Sequence, residues 1–129
     1  MKYVIDKLSD LGIIKINVSG KLSLEARKEL FLKAVSELNT SGYNRLLIDV
    51  TGSKVPPNYK TFNSLELVNY TKTLETKNHP KTAFLSTQTE DGHDSFVRLS
   101  QAVGGRHMKH FRNYDEAITW LLGGKDIFT

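Results

Sequence analysis

The chain has 129 residues, of which 39% are hydrophobic and 25% charged, so it can bury a core and is neither a disordered tail nor a fibrous repeat. It contains no Cys, which excludes a disulfide framework, and 18 Lys and Arg against 14 Asp and Glu give a formal net charge of +4. Because the basic residues are scattered among acids, we interpret the surplus as a mixed-charge surface and expect no nucleic-acid partner.

Targeting and membrane signals are lacking in the sequence. The longest apolar runs have three or four residues, far short of the ~20 that a spanning helix needs. Asp6 and Lys7 come soon after the first residues, so we expect no signal-peptide core. We therefore expect one cytoplasmic domain over residues 1–129, without stable membrane insertion.

The chain opens with the pattern of a β-hairpin. Residues 3–7 alternate in polarity, residues 9–12 have turn chemistry, and residues 13–18 resume the alternation. This pattern predicts two antiparallel strands with one face mainly buried. Ser19 and Gly20 are expected to close the second strand.

A helix is predicted next. Ser23 can cap it, and Glu25 falls in its first turn, where the helix dipole favours an acid. Gly42 provides the stop. The apolar positions recur at helical spacing: Leu30, Phe31, Ala34, Val35 and Leu38.

The middle of the chain predicts a central strand followed by a second helix. Residues 45–50 contain a continuous apolar run, which is typical of a strand covered on both faces. Residues 51–58, with Pro56 and Pro57, are expected to be irregular. The helix that follows must end before Pro80. Its stripe is Tyr59, Phe62, Leu65, Val68, Thr71 and Leu74.

The last part of the chain continues the alternation of strands and helices. Residues 81–87 predict a short buried strand, and residues 108–111 a brief edge strand. Asn113 can cap the final helix, with Glu116 three positions later. A third helix is predicted on Phe96, Leu99 and Val103, and the final one on Tyr114, Ala117, Ile118 and Leu121.

The resulting order of elements is β-β-α-β-α-β-α-β-α. Strands that alternate with helices imply crossover connections and therefore parallel pairing. The sequence thus predicts an α/β fold, with a single mixed, largely parallel five-stranded sheet packed with four helices.

Several segments carry a resemblance to a known family. The opening hairpin, the "VSGKLSLE" entry into the first helix, the "NRLLIDVTG" strand and the final "NYDEAITWLL" helix resemble the STAS superfamily. They are most similar to its SpoIIAA-like branch, which is related to the anti-sigma factor antagonists. The resemblance covers about residues 3–122. It implies a compact sheet with packed helices and a regulatory protein-interaction function without enzymatic activity.

The resemblance also implies where a phosphorylation switch would lie. Well-known members carry a phosphorylatable Ser after an Asp, at the start of the helix that follows the third strand. Aligned without gaps, that position is Asn58, preceded by Pro57, so we expect no phospho-serine switch here. Phosphorylation of the nearby hydroxyls is left open, and these are Thr51, Ser53, Thr61 and Ser64.

The predicted binding site follows the third strand. Partners of a parallel sheet usually lie beyond the carboxyl ends of its strands. We expect Asp49 to hydrogen-bond the turn it precedes. Tyr59 and Phe62 are either core anchors or exposed contacts. The candidate partner- or ligand-binding residues are Thr51, Ser53, Lys54, Asn58, Tyr59 and Phe62.

The sequence pattern argues against metal binding and catalysis. His107 and His110 are three positions apart on a predicted strand and so point to opposite faces, with His93 elsewhere, which argues against a metal site. We expect no cofactor and no catalytic constellation. Besides a protein partner, the sequence leaves open a second copy of the chain as partner. It also leaves open the carriage of a small apolar molecule or lipid, which requires an internal apolar cavity of ~300 Å³ or more.

Overall fold

The computed structural model describes residues 1–74, 80–86 and 107–123. In this part of the chain, five strands form one sheet and three helices pack on it. The strands are β1 (Lys2–Leu8), β2 (Ile13–Lys21), β3 (Arg45–Lys54), β4 (Lys81–Leu85) and β5 (His107–Phe111). The helices are α1 (Leu24–Ser41), α2 (Thr61–Thr71) and α3 (Tyr114–Leu121).

The strands follow one another across the sheet in chain order. β1 is antiparallel to β2, and every other neighbouring pair is parallel. This arrangement confirms the predicted mixed, largely parallel sheet. The predicted helix on Phe96, Leu99 and Val103 lies outside the described residues. None of the helices within the described ranges is long and apolar enough to cross a membrane.

Helices cover both faces of the sheet. On the α1/α2 face, residues such as Ile14, Ile48 and Phe84 join the buried side chains of α1 and α2. On the opposite face, which we call the α3 face, Leu47 and its neighbours pack against α3. The apolar run of β3 is therefore buried on both sides, as its continuous pattern predicted.

Local chemistry fixes both ends of α1. The Ser23 hydroxyl accepts a hydrogen bond from the Ala26 N–H at 3.1 Å, which is the predicted N-cap. Gly42 ends the helix with a φ of 77°, a left-handed conformation that glycine adopts without strain, and its N–H donates to Leu38 O at 2.9 Å. These two predictions are confirmed.

Two predicted strand ends were wrong. β2 does not close at Ser19 and Gly20 but continues to Lys21, and β3 continues through residues 51–54, which we expected to be irregular. The two extensions pair with each other, Gly20 opposite Ser53. Gly20 has a φ of 87°, which L side chains rarely adopt, so a glycine allows the strand to continue there.

Two basic side chains hold the end of α3 against the sheet. Arg45 Nε donates to Leu121 O at 2.7 Å, and Lys81 Nζ donates to Trp120 O while lying 4.5 Å from the centre of the Trp120 ring. Burial, and then the charge of Arg45, lower the pKa of Lys81. Both cations lie where the carbonyls at a helix C-terminus need donors and where the helix dipole is negative.

Replacing Arg45 with Met should loosen α3. The variant loses the bond to Leu121 O and the longer one, 3.4 Å, to Leu11 O. We expect a loss of about 1–3 kcal/mol in the free energy of unfolding, and faster hydrogen exchange in α3 than in β3. The matched control is Arg112→Met, since Arg112 is exposed. Unchanged exchange in α3 would show that Arg45 does not anchor the helix.

Among the described residues, α3 covers only part of the α3 face. α3 packs on β3, β4 and β5. Its first residue, Tyr114, was predicted to face inward but is 39% exposed, with its ring centre 4.9 Å from Lys15 Nζ. Val4 on the α3 face of β1 is 60% exposed, and Ser19 and Thr51 at the carboxyl ends of β2 and β3 are exposed as well.

Candidate partner-binding site at the carboxyl ends of β2 and β3

A β-bulge marks the carboxyl ends of β2 and β3. Asn17 pairs with Asp49, but the next regular pair is Ser19 with Gly52, so β3 has one residue more than β2 over this stretch. Bulges bend a strand and redirect its side chains, and they are common beside functional sites. The bulge therefore decides which residues of the predicted site reach the surface.

Asp49 organises the bulge. Its Oδ1 accepts hydrogen bonds from the Thr51 N–H at 3.0 Å and from the Thr51 hydroxyl at 2.7 Å. The local hydrogen bonding predicted for Asp49 is confirmed, although Thr51 lies in a bulged strand rather than in a turn. The carboxylate thus has a structural task, and the Thr51 hydroxyl is held in place.

An open depression of about 400 Å³ lies beside the bulge on the α3 face. An added Cβ at Gly52 would lie 3.3 Å from Val18 O, so a side chain there would crowd β2. The lining contains charged and polar side chains, and the depression opens to solvent, so it is not the enclosed apolar cavity that a lipid carrier requires. It is lined by Lys2, Tyr3, Val4, Asn17, Val18, Ser19, Asp49, Thr51 and Gly52.

The predicted site residues are divided between surface and interior. Thr51, Lys54 and Asn58 are exposed. Ser53 is 3% exposed, and its hydroxyl donates to Val50 O at 2.6 Å. Tyr59 is half-buried. Phe62 belongs to α2, but its side chain lies outside what the structure describes.

A buried arginine supports the segment between β3 and α2. Arg27 is 1% exposed, its Nε donates to Leu22 O at 3.2 Å, and its guanidinium lies 4.2 Å from the centre of the Tyr59 ring. The Tyr59 hydroxyl shares a hydrogen bond with Ser64 Oγ at 3.1 Å, and Ser64 is fully buried. These contacts tie the first turn of α1 to residues 55–60 and to α2, so Tyr59 acts as an anchor of this segment.

Sequence reasoning did not identify Arg27. The available signal was its place in the helical pattern, since it precedes Leu30 and Phe31 by three and four residues and so falls on the apolar stripe of α1. A cation on such a stripe is either unfavourable or held by a specific stack and hydrogen bonds. The structure shows the second arrangement.

The exposed part of the site is basic. Lys21 and Lys54 are directly opposite each other on β2 and β3, and both are exposed. Lys60, at the start of α2, is exposed as well. We call Lys21 and Lys54 the basic edge, and its charge favours an anionic surface opposite it.

The hydroxyls near the site are mostly engaged. Ser53 and Ser64 are buried and hydrogen-bonded, and the Thr51 hydroxyl binds Asp49. The side chain of Thr61 lies outside the described residues. Asn58, where the resemblance puts the phosphate acceptor, is exposed and has no hydroxyl.

The histidines do not converge within the described ranges. His107 pairs with Lys81 and His110 with Phe84, which places them on opposite faces of the sheet. His93 lies outside the described residues. No group of three His, Cys, Asp or Glu among residues 1–74, 80–86 and 107–123 is arranged to hold a metal ion.

Comparison with solved structures identifies the fold. An anti-sigma factor antagonist from Mycobacterium paratuberculosis superimposes with a TM-score of 0.60 at 12% identity, over 93% of this chain and 92% of that one. An uncharacterized protein of the DUF3478 family from Shewanella loihica, described as having a SpoIIAA-like fold, gives 0.55 at 20% identity, over 93% and 92%. The phosphorylated form of the Bacillus cell fate determinant SpoIIAA gives 0.51 at 12% identity, over 92% and 98%.

Sequence comparison adds nothing to this likeness, since no family model and no curated protein matches the chain. At 12–20% identity the structural likeness concerns the fold. The chain has the α/β fold of the STAS domains. More narrowly, it has the SpoIIAA-like form of that fold, as the sequence resemblance predicted.

Proposed function

We propose that the chain is a single regulatory protein-interaction domain of the SpoIIAA-like type, acting in the cytoplasm without catalysis and without the usual phospho-serine switch. Its docking surface comprises Thr51, Asn58 and the basic edge, to which Lys54 belongs. The observation that carries the proposal is this exposed, positively charged surface at the carboxyl ends of parallel strands in a SpoIIAA-like fold.

The position of the surface supports a docking role. In open α/β sheets, ligands and partners lie outside the carboxyl ends of the strands. Asp49 accepts a hydrogen bond from the Thr51 hydroxyl, and the Arg27 guanidinium stacks on the Tyr59 ring. Residues 51–60 are therefore constrained at both ends before a partner binds. A constrained surface loses less conformational entropy on binding.

The charge of the surface points to an acidic partner. Lys21 and Lys54 are opposite each other in the register of β2 and β3, so an acidic group docked against them would meet two positive charges. Because one of the structural neighbours is an anti-sigma factor antagonist, we propose a partner of the anti-sigma factor class with an acidic docking patch. Such binding weakens as salt increases.

Asn58 has no hydroxyl that could accept a phosphate, which supports regulation without phosphorylation at this position. Ser53 and Ser64 are buried, so a kinase would have to open the fold to reach them. We expect the intact mass of the protein purified from its own host to show no phosphate. A phosphate localised to residues 51–64 would contradict this part of the proposal.

A charge reversal tests the docking surface. Affinity capture with the wild-type protein identifies the partner, and Lys54→Glu should then weaken its binding about tenfold or more, with a smaller dependence on salt. Lys72→Glu is the matched control, because it makes the same charge change at an exposed position after α2. Ser53 and Tyr59 are left unchanged, since they hold the fold.

Isothermal titration at two salt concentrations provides the measurement. If Lys54→Glu and Lys72→Glu weaken binding equally, the effect is one of net charge and the proposed surface is wrong. If neither variant changes the affinity, the partner docks elsewhere.

A further inference from the structure

β1 forms one edge of the sheet. Within the described residues it pairs with β2 alone, through seven register pairs. Every second residue of such a strand turns its N–H and C=O outward, which makes the edge a template for another strand. The side chains of β1 determine which strand could pair with this edge.

The α3-face side chains of β1 form a short exposed row. Lys2, Val4 and Asp6 are all exposed, and Val4 is 60% exposed. The row therefore has a positive charge at one end, an apolar side chain in the middle and a negative charge at the other end. Such a row is complementary to itself when it is reversed.

We propose that β1 pairs in antiparallel fashion with β1 of a second copy of the chain, about a two-fold axis that passes Val4. In this register Val4 lies opposite Val4, and Lys2 of each copy lies opposite Asp6 of the other. On the α1/α2 face, Tyr3 of each copy lies opposite Ile5 of the other. The two sheets would join into one continuous sheet of ten strands, twice the five of one chain.

The side chains select this register over its neighbours. Residues that are opposite each other on antiparallel strands share a face, so a symmetric pairing must centre on a residue. Centring on Tyr3 would put Val4 opposite Lys2, and centring on Ile5 would put Val4 opposite Asp6. Only the register centred on Val4 joins both charge pairs and covers the exposed valine.

Charged side chains on an edge strand can also prevent pairing with another chain. Charges of one sign would repel a second copy in every register, whereas Lys2 and Asp6 have opposite signs and attract a second copy in the register centred on Val4. The pairing surface is short compared with the interface of a stable dimer. We therefore expect a weak dimer whose population rises with protein concentration.

Charge reversal and its complementation test the pairing. Sedimentation velocity from about 10 μM to 1 mM should show a concentration-dependent dimer of the wild-type protein. Lys2→Glu and Asp6→Lys should each weaken it about tenfold or more, since each variant puts like charges opposite each other twice. An equimolar mixture of the two variants should recover the dimer, because every opposite pair then has opposite charges.

The controls separate this inference from the docking surface. Lys72→Glu and Lys54→Glu should dimerise like the wild-type protein. Circular dichroism checks that the variants fold, which their exposed positions favour, and hydrogen exchange should show outer amides of β1 protected only at high concentration. A wild-type protein that is monomeric up to 1 mM, or a dimer that Lys2→Glu does not weaken and the mixture does not restore, overturns the proposal.

Discussion

Replacing Phe84 with Ala is expected to lower the free energy of unfolding by about 3–5 kcal/mol. Phe84 is 1% exposed on β4, between Ile48 and His110 in the register of the sheet. Its ring centre lies 5.9 Å from that of Phe31, which α1 contributes. The truncation removes this contact and leaves a cavity where α1 meets the sheet, and a close-packed core relaxes only partly into such a cavity.

Urea denaturation followed by circular dichroism measures the loss. Leu32→Ala is the control, since Leu32 is also a large apolar residue but is 53% exposed on α1, and it should change stability by about 0.5 kcal/mol or less. A small effect of Phe84→Ala, comparable to that of the control, would mean that α1 is not packed on β4 as the structure has it.

The parts of the fold that sequence predicted well depend on local chemistry. The caps of α1 at Ser23 and Gly42 are properties of a few adjacent residues, so no knowledge of distant contacts is needed. The burial of β3 on both faces follows from the unbroken apolar run at Leu46, Leu47 and Ile48. The order of elements then restricted the topology to a largely parallel sheet.

The strand ends required contacts that no short window contains. β2 and β3 extend to Lys21 and Lys54 because their ends pair with each other, and the bulge near Asp49 sets that pairing. One extra residue in a strand moves every later side chain to the opposite face. Ser53, predicted to face a partner, is consequently buried, while Thr51 stays exposed.

Two features of the candidate site also depend on contacts between distant parts of the chain, so they could not be predicted from the sequence. The pairing of Lys21 with Lys54 arises only from the register of β2 with β3, since the two residues are far apart in the chain. The stack of Arg27 on Tyr59 joins α1 to the segment before α2, again across the chain. Both contacts form only in the folded chain. The residue pattern could show that Arg27 is unusual on an apolar stripe, but it could not show which residue it contacts.

Loss of the Arg27 side chain, which stacks on Tyr59, is expected to have the second large effect on stability. Arg27→Ala removes the bond to Leu22 O and the contact with the Tyr59 ring, and it empties the space of a fully buried side chain. We expect a loss of about 2–4 kcal/mol in the free energy of unfolding. Hydrogen exchange should also rise in residues 55–60 more than in β4, because Tyr59 loses its support.

Two further variants separate the charge from the geometry. Arg27→Lys keeps the positive charge but lacks the planar group that stacks on a ring, so it should restore only part of the lost stability. Tyr59→Phe keeps the ring and loses only the hydrogen bond to Ser64, which should cost about 0.5–1.5 kcal/mol. Full stability in Arg27→Lys would show that charge alone matters.

The Arg27→Ala variant also connects the fold to the proposed binding. Arg27 is 1% exposed, so we expect it to affect docking through the position of residues 55–60. Its loss should weaken partner binding even below the denaturation midpoint, whereas Phe84→Ala, at the same fraction folded, should bind normally. Equal affinity of the two folded variants would mean that the partner does not contact the segment that Arg27 holds, and the docking surface would then be reduced to the ends of the strands.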